Sequence, residues 1–148
     1  MSLAMSKTER EAFLADVHVG VMSVSEEDRG PLTVPIWYTY VPGGEVRFVT
    51  GRESRKATLL RDTGRFTLCV QTETAPYKYV SVEGPIIGVG TADVEADIRP
   101  LAHRYLGREL GDRYVAAVHG GTDDDSIVVR MLPERWLSAD FAKEFGSV

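Results

Sequence analysis

The apolar segments of this chain are short, rich in β-branched and aromatic residues, and mostly joined by turns too brief to hold a crossover helix. Segments 18–24, 32–40, 45–50, 65–72, 77–83, 86–95 and 126–132 read as seven strands. Parallel neighbours need a connection of roughly a dozen residues or more, usually a helix, and a doubly wound parallel fold would need one after most strands. The chain lacks them. The expected closure is a mostly β protein, an antiparallel barrel with small appended helices. The charged run 25–30 and the turn Val41-Pro-Gly-Gly44 mark two hairpins, and Gly84-Pro85 is expected to separate 77–83 from 86–95.

Helix signals are few and local. Ser6-Lys-Thr-Glu9 has the spacing of a capping box and opens a helix to about Ala15, with Phe13 and Leu14 as its apolar contacts. Ser54 opens a brief helix expected to end near Arg61. Pro100 sits where a first-turn proline belongs, and Gly107 and Gly111 are expected to break the next region into two short helices. Leu110, Tyr114 and Val118 fall four residues apart, a stripe expected to face a core. The last strand is expected at 126–132, with Trp136, Phe141 and Phe145 in the tail.

At 148 residues and 43% hydrophobic, the chain is expected to form one domain over 1–148 with a real core. A second Met at position 5 suggests that residues 1–5 are a cloning leader. A net charge of −5 argues against non-specific nucleic-acid binding. No apolar run approaches the ~18–20 residues of a membrane span, and the first residues lack a signal pattern. Cys69 stands alone, which rules out an internal disulfide and points to a cytoplasmic home and a buried, inert thiol. His18, His103 and His119 lack metal-ligand spacing. Asp123, Asp124 and Asp125 lack the alternation and distal Glu of a calcium loop, so a solvated loop is expected. Gly88-x-Gly90 lies within a strand and opens no helix, so it is not a dinucleotide fingerprint.

The run Thr50-Gly-Arg-Glu-Ser-Arg-Lys56 carries the functional signal. It joins a strand to a helix and puts two cations in the first helical turn, where the helix dipole opposes them. Over 50–65 there are five basic groups (Arg52, Arg55, Lys56, Arg61, Arg65) against Glu53 and Asp62, a local +3. Two readings are open: an ordinary solvated helix face, or a phosphate seated on free backbone N–H groups and closed in by Arg55 and Lys56. Ser54 is a good N-cap under either. Pro35 interrupts a ladder and implies an edge strand or a bulge. Trp37 suits a core or dimer contact as well as a ligand wall.

Strand, Pro-x-Trp, hairpin, strand, Thr-x-x-x-Ser-Arg-Lys, helix, strand and x-Val-x-Val-x-Gly follow in an order that resembles the FMN-binding split β-barrel superfamily. This is the pyridoxamine 5′-phosphate oxidase-like group, and the chain looks most like its branch that uses FMN or the deazaflavin coenzyme F-420. The resemblance covers about residues 10 to 95. It implies a homodimer whose two chains share each cofactor groove. Ser54, Arg55 and Lys56, with Thr50, would hold the cofactor phosphate. Val34, Pro35, Ile36 and Trp37 would lie along the ring and meet its polar edge through backbone groups. Lys78 and Tyr79 fall where the vitamin-processing oxidases carry an Arg and a Gln, so Tyr79 departs from the pattern. Trp136 lacks the context of the substrate-binding Trp of those oxidases, and the resemblance does not extend to their substrate. It implies hydride transfer between coenzyme F-420 (favoured) or FMN and a small unsaturated substrate. The alternative is a non-catalytic protein that sequesters a flavin-like or haem-like ligand. No metal, nucleic-acid or membrane partner is expected, and no catalytic acid or base stands out. Arg52 and Arg61 would serve a deazaflavin's acidic tail, and the excess of Arg over Lys fits a GC-rich bacterial genome.

Overall fold

The structure, a computed structural model, describes residues 2–120 and 125–145. The expected Asp123 and Asp124 of the acidic loop lie outside the described residues. The first half of the chain runs α1 (Lys7–Ala15), β1 (Gly20–Val24), β2 (Leu32–Ile36), β3 (Thr39–Tyr40), β4 (Val46–Gly51), α2 (Arg55–Thr63) and β5 (Arg65–Gln71). There follow β6 (Lys78–Thr91), a π-helical turn (Val94–Ile98), α3 (Arg99–Leu106), α4 (Arg108–His119), β7 (Ser126–Met131), β8 (Arg135–Asp140) and α5 (Ala142–Phe145). Every strand pair is antiparallel. The order is β2-β1-β5-β6-β7-β4-β3, with β8 also on β6.

The local signals hold where they were strongest. Ser6 and Glu9 form a reciprocal capping box on α1. Gly44 N bonds to Val41 O at 2.8 Å, and Gly43 takes φ 81°, a left-handed conformation that glycine adopts without strain. Ser54 caps α2, and Gly64 closes it at φ 70°.

Six expectations are corrected. The stretch 32–40 is two strands, because at Tyr38 the backbone finds partners outside the ladder. The Tyr105 hydroxyl accepts from Tyr38 N at 3.0 Å, donates to His18 O at 2.6 Å and lies 3.1 Å from Tyr38 O. Conversely, Gly84-Pro85 does not break the chain: β6 is one strand of 14 residues. It pairs with β5 and β8 before that point and with β7 after it, so the two halves of the barrel share one strand. Gly84 permits the crossing, since a Cβ there would lie 1.8 Å from Leu132 O. β6 then stops at Thr91 rather than residue 95, and Asp93 caps the π-helical turn through Ala96 N at 2.7 Å.

Gly111 likewise lies inside α4 instead of breaking it. A Cβ at Gly111 would meet His103 at 2.8 Å and the Ala102 backbone at 3.1 Å, so its absence lets α4 approach α3 closely. That contact turns Gly111 and Val115 inward, leaving Leu110 52% and Val118 59% exposed, and the expected core stripe faces elsewhere. Finally, 126–132 is not the last strand. Residues Arg135–Asp140 add β8 along β6, with Trp136 edge-on to Tyr40 and covered by Arg10.

The barrel interior is filled by Met22, Phe48, Leu68, Val80, Val129 and Met131, all 1% exposed or less. Leu14 from α1 and Ala57 and Leu60 from α2 belong to the same cluster. Each of the larger side chains contributes about 1.5–3 kcal/mol of burial. Met5 joins this core, and Leu3 O accepts from Asp140 N at 2.8 Å. Tyr38 is fully buried, and its hydroxyl donates to Leu14 O at 2.6 Å; burial pushes its ionisation well above the usual range. A second, smaller cluster unites Ala92, Ile98, Ala102 and Val115 with Trp37, Val49 and Tyr114. It fastens the helical flank to the outside of the barrel. Among the described residues no helix is long and apolar enough to cross a membrane.

Candidate functional site

Between the barrel and that flank lies a groove of about 470 Å³. Pro35, Ile36 and Trp37 line it from the end of β2, Val49, Thr50 and Gly51 from β4, and Ser126 from β7. Ile98, Leu101, Tyr114, Val118 and His119 form its helical side, with Val19 and Lys56 completing the wall. β2 ends the strand order, so among the described residues one edge of its backbone has no strand partner, and Pro35 sits where a missing N–H costs no ladder bond. Trp37 is held by stacking on Tyr105 at 5.1 Å and 5°, and it leans on Tyr114 at 5.3 Å.

The polar end of the groove is built by the β4–α2 connection. Thr50 is 7% exposed, and its hydroxyl lies 3.1 Å from that of Ser54. Ser54 in turn accepts from Ala57 N at 3.1 Å. Lys56 follows on the first turn and lines the groove; partial burial pushes its ammonium below the usual lysine range. Among the described residues it makes no hydrogen bond or ion pair. No carboxylate lines the groove among the described residues. A half-buried cation without a counter-charge, beside a helix N-terminus, suits an anion.

Of the residues singled out in the sequence, Pro35, Ile36, Trp37, Thr50 and Lys56 line this groove, and Ser54 is bonded to Thr50 behind them. The other four lie elsewhere in this chain. Val34 packs on the barrel core. Arg55 is turned to an ion pair with Glu26. Lys78 Nζ lies 4.0 Å from Asp140 Oδ2, and Tyr79 is paired with Gln71 and Ala139 within the sheet. Ile98, Leu101, Tyr114, Val118 and His119 were not anticipated as lining residues. The signal for two of them was present: the Tyr114–Val118 spacing marks a helix face, which lines the groove while Tyr114 also packs on the second cluster.

An antiparallel barrel whose halves share one long strand, with a groove beside the strand-to-helix turn, defines the split-barrel class. The sequence profile described as pyridoxamine 5′-phosphate oxidase matches residues 6–138, and the chain belongs to that family. Among solved structures it is similar to the conserved hypothetical protein Rv2991 from Mycobacterium tuberculosis, with 23% identity, 97% of this chain and 90% of that one covered, and TM-score 0.76. It is also similar to an F-420 reductase (20% identity, 86% and 94% covered, TM-score 0.61). A third is an FAD-binding protein from Mesorhizobium loti (18% identity, 90% and 93% covered, TM-score 0.61). No curated protein matches the sequence at a significant level.

Proposed function

We propose that the groove binds a flavin-type cofactor by its anionic end, and that the protein is an oxidoreductase acting on a small unsaturated substrate. The observation that carries this is Lys56, a partly buried cation with no partner among the described residues, at the polar end of a groove lined mainly by apolar and aromatic side chains. The donor set fits the group. Lys56 and the first N–H groups of α2 would hold a phosphate, while Thr50 and Ser54 fix the turn that presents them. The unpaired edge of β2 at 34–37 would offer backbone groups to the ring's polar rim. Ile98, Leu101 and Val118 would exclude water from the ring and admit an apolar substrate. Once bound, a flavin or deazaflavin supplies the hydride chemistry, and the protein supplies binding and orientation.

Coenzyme F-420 is the preferred occupant, with FMN next. Arg52 adjoins Gly51 on the groove wall, and Arg61 Nη2 bonds to Arg52 O at 3.1 Å. Arg61 thereby carries positive charge to the rim outside the groove, where an acidic tail would run, and Arg52 would join it by exchanging Asp125 for the tail. An F-420 reductase and an FAD-binding protein of the same fold support the cofactor class. The working form is proposed to be an isologous homodimer. Residues Pro35, Val21, Cys69, Ser81 and Leu137 stand in register across the outer face of β2, β1, β5, β6 and β8. Pro35 belongs to both that row and the groove wall, so a chain docked on the row would border the groove. Lys78 and Tyr79 would then serve the groove of the second chain.

Calorimetric titration with coenzyme F-420 and FMN tests the reading. Micromolar binding of either cofactor, with turnover of enones by its reduced form, is expected. No heat with either one would end it.

A further inference from the structure

Four basic side chains gather around the β4–α2 connection, Arg61 reaching back to it from the last turn of α2, and three of them are held by the protein itself. Arg52 Nε bonds to Asp125 Oδ1 at 2.7 Å and its Nη2 to Thr91 Oγ1 at 3.0 Å. Arg61 is spent on the Arg52 carbonyl. Arg55, the first residue of α2 and the neighbour of Lys56, is bonded through Nη2 to Glu26 Oε1. Glu26 comes from the β1–β2 connection, far from α2 in sequence, and its side chain is only 19% exposed against 52% for Arg55. Arg55 holds the Glu26 carboxyl below its usual range through that hydrogen bond, so Glu26 is a carboxylate at neutral pH. A cation on the first turn of a helix is repelled by the helix dipole and needs a counter-anion. Glu26 provides one. A phosphate at the same helix terminus offers more charge and more acceptor oxygens.

We infer that Glu26 sets the affinity and phosphate selectivity of the groove's anion end by competing with the ligand's phosphate for Arg55. The inference rests on the flavin-type reading of the groove. An exposed arginine–carboxylate pair is weak enough to exchange partners, so Arg55 is a second phosphate contact released only when a phosphate displaces Glu26. A ligand without a phosphate has nothing to gain from Arg55 and is indifferent to Glu26.

The test is calorimetric titration of the full chain, and of its Glu26→Gln, Arg55→Gln and double variants, at low ionic strength. FMN is compared with riboflavin, and coenzyme F-420 with its phosphate-free deazaflavin core. Glu26→Gln is expected to bind the phosphate-bearing ligands about two- to fivefold more tightly, the scale of one exposed ion pair. Binding of the phosphate-free cores stays unchanged, and the double variant loses the gain. Unchanged or weaker phosphate-ligand binding by Glu26→Gln would overturn the inference, as would an equal gain for the cores or a gain that survives loss of Arg55. If the unaltered chain binds none of the four ligands, the functional reading itself fails. If it binds them while Glu26→Gln gains nothing, only the role of Glu26 fails.

Discussion

Lys56 is the residue at which stability and function pull in opposite directions. Its ammonium is half withdrawn from water with no partner among the described residues, which costs the folded state rather than stabilising it. Lys56→Met keeps the apolar stem and removes the charge. It is expected to weaken cofactor binding by about 1.5–3 kcal/mol, the worth of a charged hydrogen bond, while leaving the melting temperature unchanged or raised. Titration and thermal melts on the same sample separate the two effects, and a variant that melts lower yet binds normally would make Lys56 structural. Glu9 is the opposite case. Hydrogen bonds from Lys143 and then Ser6 lower its carboxyl from 4.5 to about 2. Because the folded value is depressed, the unfolded chain takes up the proton first, and the stabilisation present above pH ~4.5 is lost as pH falls toward ~2. Glu9→Gln should therefore flatten the melting-temperature profile across that window and leave it parallel to the unaltered protein at neutral pH.

Among the elements, α3 both lines the groove through Leu101 and anchors the 34–37 edge of the site. Arg104 Nη2 bonds to Ala15 O at 3.0 Å and Asp16 O at 2.9 Å, fastening the end of α1. Next to it the Tyr105 hydroxyl holds the backbone break at Tyr38, and its ring stacks on Trp37. Tyr105→Phe preserves the stack but strands the amide of Tyr38, which is 0% exposed. Leaving one such buried group unpaired costs about 1–3 kcal/mol. Denaturant unfolding should show that loss, and cofactor affinity should fall with it because residues 34–37 lose their anchor. Normal stability and affinity in this variant would mean that the ladder break is held by something else.

For the molecule as a whole, the proposed dimer puts the outer face of the sheet at the contact between chains. Val21 is 40% and Leu137 63% exposed, at opposite parts of a row that also holds Pro35, Cys69 and Ser81. None of the five carries a charge, and burial raises the Cys69 thiol above its usual range. Light scattering is expected to give twice the chain mass of 16.3 kDa. Leu137→Glu puts a charge into the proposed contact and should yield monomers with weakened cofactor binding. A protein that scatters as one chain before any substitution would refute the dimer.

The sequence alone determined what depends on neighbours in the chain. The caps at Ser6 and Ser54, the hairpin at Gly43, the antiparallel plan forced by short connections, and the strand-to-helix turn carrying Lys56 all rest on interactions a few residues apart. Tertiary structure decided what depends on distant ones. Gly84 reads as a break until Leu132 is seen crossing it, and Gly111 does so until α3 is seen against α4. The fate of Arg55 belongs to Glu26, and the groove's second wall belongs to helices whose exposed faces no local pattern distinguishes from core. Periodicity records that a face is apolar; only packing determines whether protein, solvent or a ligand covers it.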